Sequence, residues 1–225
     1  MVDAYAAAGG NVVDNAINYR DGESETILGE LLDARRDTFV VATKYSASRD
    51  RSDPNAAGNH RKNLRLSLET SLRRLRTGYI DLYYVHIWDA CTPIEETMRA
   101  LDDAVRAGKV LAVGVSDTPA WVLARANTLA DWHGWAPFVA VQAPYNLLKR
   151  DAEREAVHPI LGVRMLSQLK DNLGALDVHL SPEAADRLEA ATGFEVGFPS
   201  DFLASMTSFV YGEAGALVDQ PVRRA

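Results

Sequence analysis

The chain has 225 residues, of which 47% are hydrophobic and 24% charged, with a formal net charge of −7. That composition suits a globular domain with a sizeable core, and its acidic balance argues against a nucleic-acid or anionic-membrane partner. A single cysteine, Cys91, excludes an intrachain disulfide and a zinc–cysteine cluster, no apolar run reaches the length of a membrane span, and the first residues show no basic-then-apolar leader, so a cytoplasmic location is expected.

Taken in chain order, the pattern predicts a short helix over 2–8, closed by Gly9 and Gly10, where a positive φ is easy. Short apolar, β-branched runs then recur at 11–14, 38–43, 79–86, 110–115 and 138–142. Between them, 25–36, 63–76, 94–107 and 119–132 show helical periodicity with charged faces. Gly108 closes one helix, and Asp117-Thr118-Pro119 opens the next. A helix over 150–157 follows, with residues 158–164 directly after it. Ser181-Pro182-Glu183 starts a late helix, with serine as N-cap and proline in the first position. Strand alternating with helix gives repeated βαβ units and a parallel sheet, and strands this apolar expect cover on both faces. The expectation is an α/β fold of the (β/α)₈ TIM-barrel type in a single domain over 1–225, with residues 196–225 as an irregular tail.

In such barrels the active site lies at the C-terminal ends of the strands. The first run ends in Asp14, the second in Lys44, the third in His86, the fourth in Ser116-Asp117, and Tyr19 follows Asp14 on the loop. Each alone has an ordinary reading: Asp14 a turn former, Lys44 a solvated charge, His86 a satisfied structural histidine, Tyr19 packing. Together, at successive strand ends, they point to proton chemistry at one mouth. A tyrosine hydroxyl titrates near ~10 and is a poor acid unless its phenolate is stabilised, which a lysine ammonium does by charge. An aspartate holds the lysine charged and oriented, and a histidine polarises a carbonyl oxygen. No side chain supplies a hydride, so a nicotinamide cofactor is implied.

The segments GGNVVDNAINYRDGESETILGELL, FVVATKYS, SLRRLRTGYIDLYYVHIWD, AGKVLAVGVSDTP, VQAPYNLLKRDAERE and ILGVRMLSQLKDNLGAL resemble the aldo-keto reductase superfamily over nearly the whole chain. The family's Asp-Thr-Ala-x-x-Tyr is met by Asp14-Asn15-Ala16-Ile17-Asn18-Tyr19, its lysine by Lys44 and its strand-end histidine by His86. The resemblance implies Tyr19 as general acid, tuned by Lys44 and Asp14, with His86 orienting the carbonyl of a small aldehyde or ketone. It implies that Ser116, Asp117 and Gln142 hold the nicotinamide carboxamide. Asp117 stands where the family has asparagine, and an ionised aspartate only accepts hydrogen bonds. Gly162, Arg164, Gln168 and Asn172 match the adenosine-phosphate segment, and Arg164 opposite a 2′-phosphate favours NADP (NADPH) over NAD. For Gln168 and Asn172 a plain solvated helix face is an equal alternative.

The resemblance also exposes gaps. The family's N-terminal hairpin and first strand have no counterpart ahead of the helix at 2–8. Its seventh-strand region, with a cofactor-covering loop, has none between 157 and 158, and residues 158–164, which follow at once, resemble the family's last strand. About six of eight strands are therefore expected, and open sheet edges with them. The chain is then a shortened member with a remodelled barrel, a degenerate product, or one completed by a second copy as a homo-oligomer. The leading function is NADP-dependent carbonyl reduction. The alternative is a non-catalytic binding or interaction protein on the same scaffold. A metal-dependent hydrolase is disfavoured, because neither His-x-His nor paired-carboxylate spacing accompanies His86 and Asp14.

Overall fold

A computed structural model describes residues 1–148, 160 and 162–193. They fall into two units: one of residues 1–143 and 160–175, the other holding 144–148 and 176–193. The first unit runs α1 (Val2–Ala7), β1 (Val12–Asp14), α2 (Glu23–Leu32), β2 (Val40–Tyr45), α3 (Arg61–Arg74), β3 (Ile80–Val85), α4 (Ile94–Arg106), β4 (Val110–Ser116), α5 (Ala120–His133), β5 (Phe138–Gln142) and α6 (Leu166–Leu173). All strand pairings are parallel and the order is β1-β2-β3-β4-β5, a curled half-barrel in which β1 and β5 are the edges.

Register sorts the side chains. Lys44 pairs with Tyr84 and Tyr84 with Gly114, while Thr43 pairs with Tyr83 and Tyr83 with Val113. Because alternate residues of a strand point to opposite faces, each row lies wholly on one face. The row carrying Val41, Tyr45, Tyr83, Val85, Val113 and Val115 packs into the core with Leu64, Leu68 and Leu72 of α3 and Met98 and Leu101 of α4. The opposite face carries Asp14, Lys44, Ser116 and Gln142, and the next residue in phase on β3 is His86. The strand pattern therefore decides both what builds the core and what faces the site.

Polar anchors fix the helices to this core. Glu25 of α2 is fully buried, accepts the Thr43 hydroxyl proton at 2.7 Å and pairs with Arg74 at 3.3 Å. Gly29 lets α2 lie against the end of α3, where an added Cβ would stand 2.4 Å from the Arg74 carbonyl oxygen and 2.8 Å from the Leu75 backbone. Backbone cannot swing away as a side-chain end does, so Gly29→Ala is expected to cost about 1–3 kcal/mol of stability. A lowered urea midpoint checks this; an unchanged one refutes the close approach.

The expected elements form with three differences. β2 continues to Tyr45, so Lys44 sits inside the strand, and β3 stops at Val85, so His86 stands just beyond it. α5 starts at Ala120 after Pro119, and Asp117 does not cap it; its backbone takes φ 42°. The expected strand over 158–164 is not seen among its described residues: Ile160 and residues 162–164 are not in strand conformation. Among the described residues the sheet has five strands, where about six were expected. A short apolar run becomes a strand only when a neighbour completes its hydrogen bonds, and its composition cannot supply that partner. The expected helix over 150–157 and the tail from 196 lie outside the described residues. In the second unit, α7 (Pro182–Thr192) starts as its sequence implies, with the Ser181 hydroxyl accepting the Ala184 N–H at 3.2 Å and Pro182 in the first turn.

Candidate active site

Lys44 organises the site. Its side chain is 1% exposed, and its ammonium donates to Asp14 Oδ2 at 2.6 Å and to the Asn15 carbonyl at 2.7 Å. A buried ammonium needs partners of this kind, since desolvation alone costs several kcal/mol. Asp14 Oδ2 also accepts from Gln142 Nε2 at 3.2 Å. β1 and β5 are the two edges of the sheet, so this bond forms only because the sheet curls until its ends meet across the concave face.

Tyr19 is placed by the loop after β1. Arg20 and Asp21 take φ 49° and 55°, and Gly22 takes φ 94°, which turns the chain sharply into α2. Left-handed conformations at two non-glycine residues persist only where the surroundings hold them. Arg74 is part of that hold, donating to the Ile17 carbonyl at 3.0 Å from beside Gly22. The Tyr19 ring then stands edge-on to His86 with centroids 5.9 Å apart, and Lys44 Nζ lies 5.1 Å from its centroid. The ammonium reaches the ring by charge, with no hydrogen bond between Lys44 and the hydroxyl.

Burial and the nearby Lys44 charge hold His86 below its ordinary value of 6.5, against smaller opposing effects of Asp117 and Asp14. The imidazole is therefore neutral at pH 7, with Nδ1 buried and unpartnered. The sign follows. The unfolded chain protonates first as pH falls, so the contribution of His86 to stability is full above about pH 6.5 and is lost as pH drops through the lower folded value. An NMR titration of the His86 ring protons should show a midpoint below 6.5; one at or above it refutes the assignment.

Two residues absent from the sequence expectations shape the site. Tyr84 lies against Gly114, where an added Cβ would meet its ring at 2.5 Å, and Lys44 Nζ is 6.0 Å from its centroid. Burial and then Asp14 raise the Tyr84 hydroxyl above its ordinary range, so it stays protonated. The Ser46 hydroxyl accepts the backbone N–H groups of His86 and Ile87, both at 3.0 Å. No motif marks either residue; register and the turn at Ser46 (φ 88°) place them.

The expected cofactor residues divide into two groups. Ser116 is buried and Gln142 half-buried at neighbouring strand ends, paired in register, with Asp117 next in the chain. A hydroxyl and an amide on the face that carries Lys44 suit a carboxamide, and Gln142 keeps its Oε1 and one N–H beyond the Asp14 bond. Gly162 and Arg164 precede α6, Gln168 lies in its first turn and Asn172 in its last, and no hydrogen bond or ion pair joins them to Asp14, Tyr19, Lys44 or His86 among the described residues. Gln168 Oε1 accepts the N–H of Arg164 at 2.8 Å and of Met165 at 3.2 Å, so it closes the N-terminus of α6. Arg164 is exposed and has no carboxylate within ion-pair range among the described residues. Beside Trp88 and Trp121, whose rings meet edge-on at 5.6 Å, lies a cavity of about 330 Å³.

A parallel half-barrel with an aspartate–lysine pair, a tyrosine and a histidine at one mouth defines a class, and sequence comparison agrees with it. The Aldo/keto reductase family profile matches residues 1–158, and the chain belongs to that family. It is 31% identical to the probable aryl-alcohol dehydrogenase AAD4 of Saccharomyces cerevisiae over 295 residues, covering 90% of each chain. It is 40% identical over 203 residues to the aryl-alcohol dehydrogenase [NADP(+)] of Phanerodontia chrysosporium, covering 86% of this chain and 53% of that one. It is 46% identical over 162 residues to norsolorinic acid reductase B of Aspergillus parasiticus, covering 69% of this chain and 42% of the other. The chain thus spans about half the length of the second relative. The first alignment runs over more residues than the chain contains, so that relative carries residues within the aligned range that this chain lacks. Among the described residues, no helix is long and apolar enough to cross a membrane.

Proposed function

We propose that the chain reduces aldehydes or ketones to alcohols with NADPH, using Tyr19 as general acid. The observation that carries this is the convergence of Tyr19, His86 and the buried Lys44–Asp14 pair around one point. Ser116, Gln142 and Asp117 would hold the nicotinamide end, Gly162 and Arg164 the adenosine phosphate, and the NADP(+) in one relative's name supports that choice. The bound cofactor supplies the hydride. The protein's share is the proton: Tyr19 delivers it from its hydroxyl to the carbonyl oxygen. The Lys44 ammonium favours the phenolate left behind. A neutral His86 carries one N–H to donate to the same oxygen.

Two observations favour a second reading, a non-catalytic binding protein: Gln142 spends a donor on Asp14, and the longest of these alignments includes residues that this chain lacks. Fluorescence titration with NADPH, followed by its oxidation at 340 nm in the presence of an aromatic aldehyde, separates them. Saturable binding with turnover supports the reductase. Absence of saturable binding overturns it and favours the second reading. Mass in solution tests whether two copies share the open sheet edges.

A further inference from the structure

We propose that Asn59 and Asp89 are positioning residues for His86, forming a crossbar between the loop after β2 and the loop after β3 that sets where the imidazole stands. This rests on the reductase reading of the site. His86 lies just past the end of β3, where its backbone makes the last bonds toward β2. Its N–H reaches the Tyr45 carbonyl at 2.9 Å and the Ser46 hydroxyl at 3.0 Å, and beyond Ile87 the chain leaves β2.

Three bonds then tie the loops together. Asn59 Nδ2 donates to the Ile87 carbonyl at 2.9 Å. The Asp89 N–H donates to Asn59 Oδ1 at 2.8 Å, and the Asn59 N–H donates to Asp89 Oδ2 at 2.6 Å. Asn59 is 1% exposed and is itself held from β2, since the Tyr45 hydroxyl donates to its carbonyl at 3.2 Å. Gly58 makes room for the carboxylate: a Cβ there would stand 3.0 Å from Asp89 Oδ2, at a φ of 85°. The strand that carries Lys44 thereby fixes the loop that carries His86.

The Asp89 carboxylate acts only as an acceptor. Besides Asn59 it takes the N–H groups of Cys91 at 2.9 Å and Thr92 at 2.7 Å, and the Thr92 hydroxyl at 2.8 Å. Burial pushes its carboxyl up, but these hydrogen bonds outweigh that and hold it below the usual range. An asparagine there would turn an amide N–H toward a donor, so Asp89→Asn breaks part of the crossbar at nearly constant shape.

The test uses the full chain with Asn59→Ala and Asp89→Asn, and Thr92→Val, which removes one Asp89 bond but none that joins the loops, as control. Each crossbar variant should lower kcat for aldehyde reduction roughly 10- to 100-fold, as a small misplacement does, with NADPH affinity changed less than about two-fold. The His86 titration should move up toward 6.5 as water enters, with Lys44, Tyr19, Asp14 and Asp117 unchanged around it. Thr92→Val should keep wild-type kcat and titration. Wild-type kcat in both crossbar variants, or a lowered kcat with an unmoved His86, overturns the proposal. If the wild type itself oxidises no NADPH, the reductase reading falls alone, and the His86 titration decides the crossbar. If Asp89→Asn fails to fold, Asn59→Ser carries the same readouts.

Discussion

Tyr19→Phe is expected to lower kcat for aldehyde reduction by about 10²–10⁴-fold, the span that general acid catalysis contributes. The substitution removes one oxygen and keeps the ring, so the edge-on contact with His86 and the Lys44 charge over the ring face survive. Stability should hardly change, because Tyr19 is 39% exposed and no buried partner is orphaned when its hydroxyl goes. NADPH affinity should stay within about two-fold, since no carboxamide or phosphate contact is assigned to this residue. The combination is diagnostic: a proton donor acts in the transition state, so kcat and kcat/KM fall together while binding stays. Stopped-flow single turnovers with a reactive aromatic aldehyde measure the chemical step directly. Retention of more than about a tenth of the wild-type rate in Tyr19→Phe would remove Tyr19 from the general-acid role.

What the sequence made legible is what one-dimensional pattern encodes. Alternation of apolar runs with helical periodicity located the five strands found among the described residues, because β-branched residues favour extended, pleated backbone, although the edge strands β1 and β5 stay partly exposed rather than covered on both faces. The spacing from Asp14 to Tyr19, and the strand-end places of Lys44 and His86, marked a site because βαβ order sends those ends to one side. The rest depends on three-dimensional closure. The Gln142–Asp14 bond joins residues from opposite edges of the sheet and exists only through curvature, which no local pattern carries. Gln168 was open between cofactor binding and a solvated helix face; it turns its amide oxygen back onto the start of α6, a choice set by the local turn. The run at 158–164 resembles a family strand, but a strand is a relation between two segments. Asp117-Thr118-Pro119 opens α5 as expected, with Pro119 at the cap position and Asp117 in a left-handed turn before it.

Lys44→Met should be the most destabilising single change at the site, by about 3–5 kcal/mol, because it leaves the Asp14 carboxylate without its counter-charge. Met nearly matches the volume of the lysine stem, so cavity formation adds little, and the loss reads the charge. Asp14 keeps the Gln142 N–H at 3.2 Å, and its side chain is 14% exposed, which places the cost near the lower end. For a chain of this size that corresponds to a fall in Tm of roughly 6–12 °C. The Asn15 carbonyl also loses its donor, a smaller effect of about 1 kcal/mol. Two features separate this from generic core damage. Adding Asp14→Asn should recover a large part of the loss, because the orphaned charge is gone, whereas independent defects would add. The single variant should also lose about 10²-fold in kcat, since no positive charge remains 5.1 Å from the Tyr19 ring to favour its phenolate. Urea denaturation of the four species in the cycle, paired with aldehyde turnover, measures both. Additive losses in the double variant would mean that Lys44 holds the fold by packing rather than by pairing with Asp14.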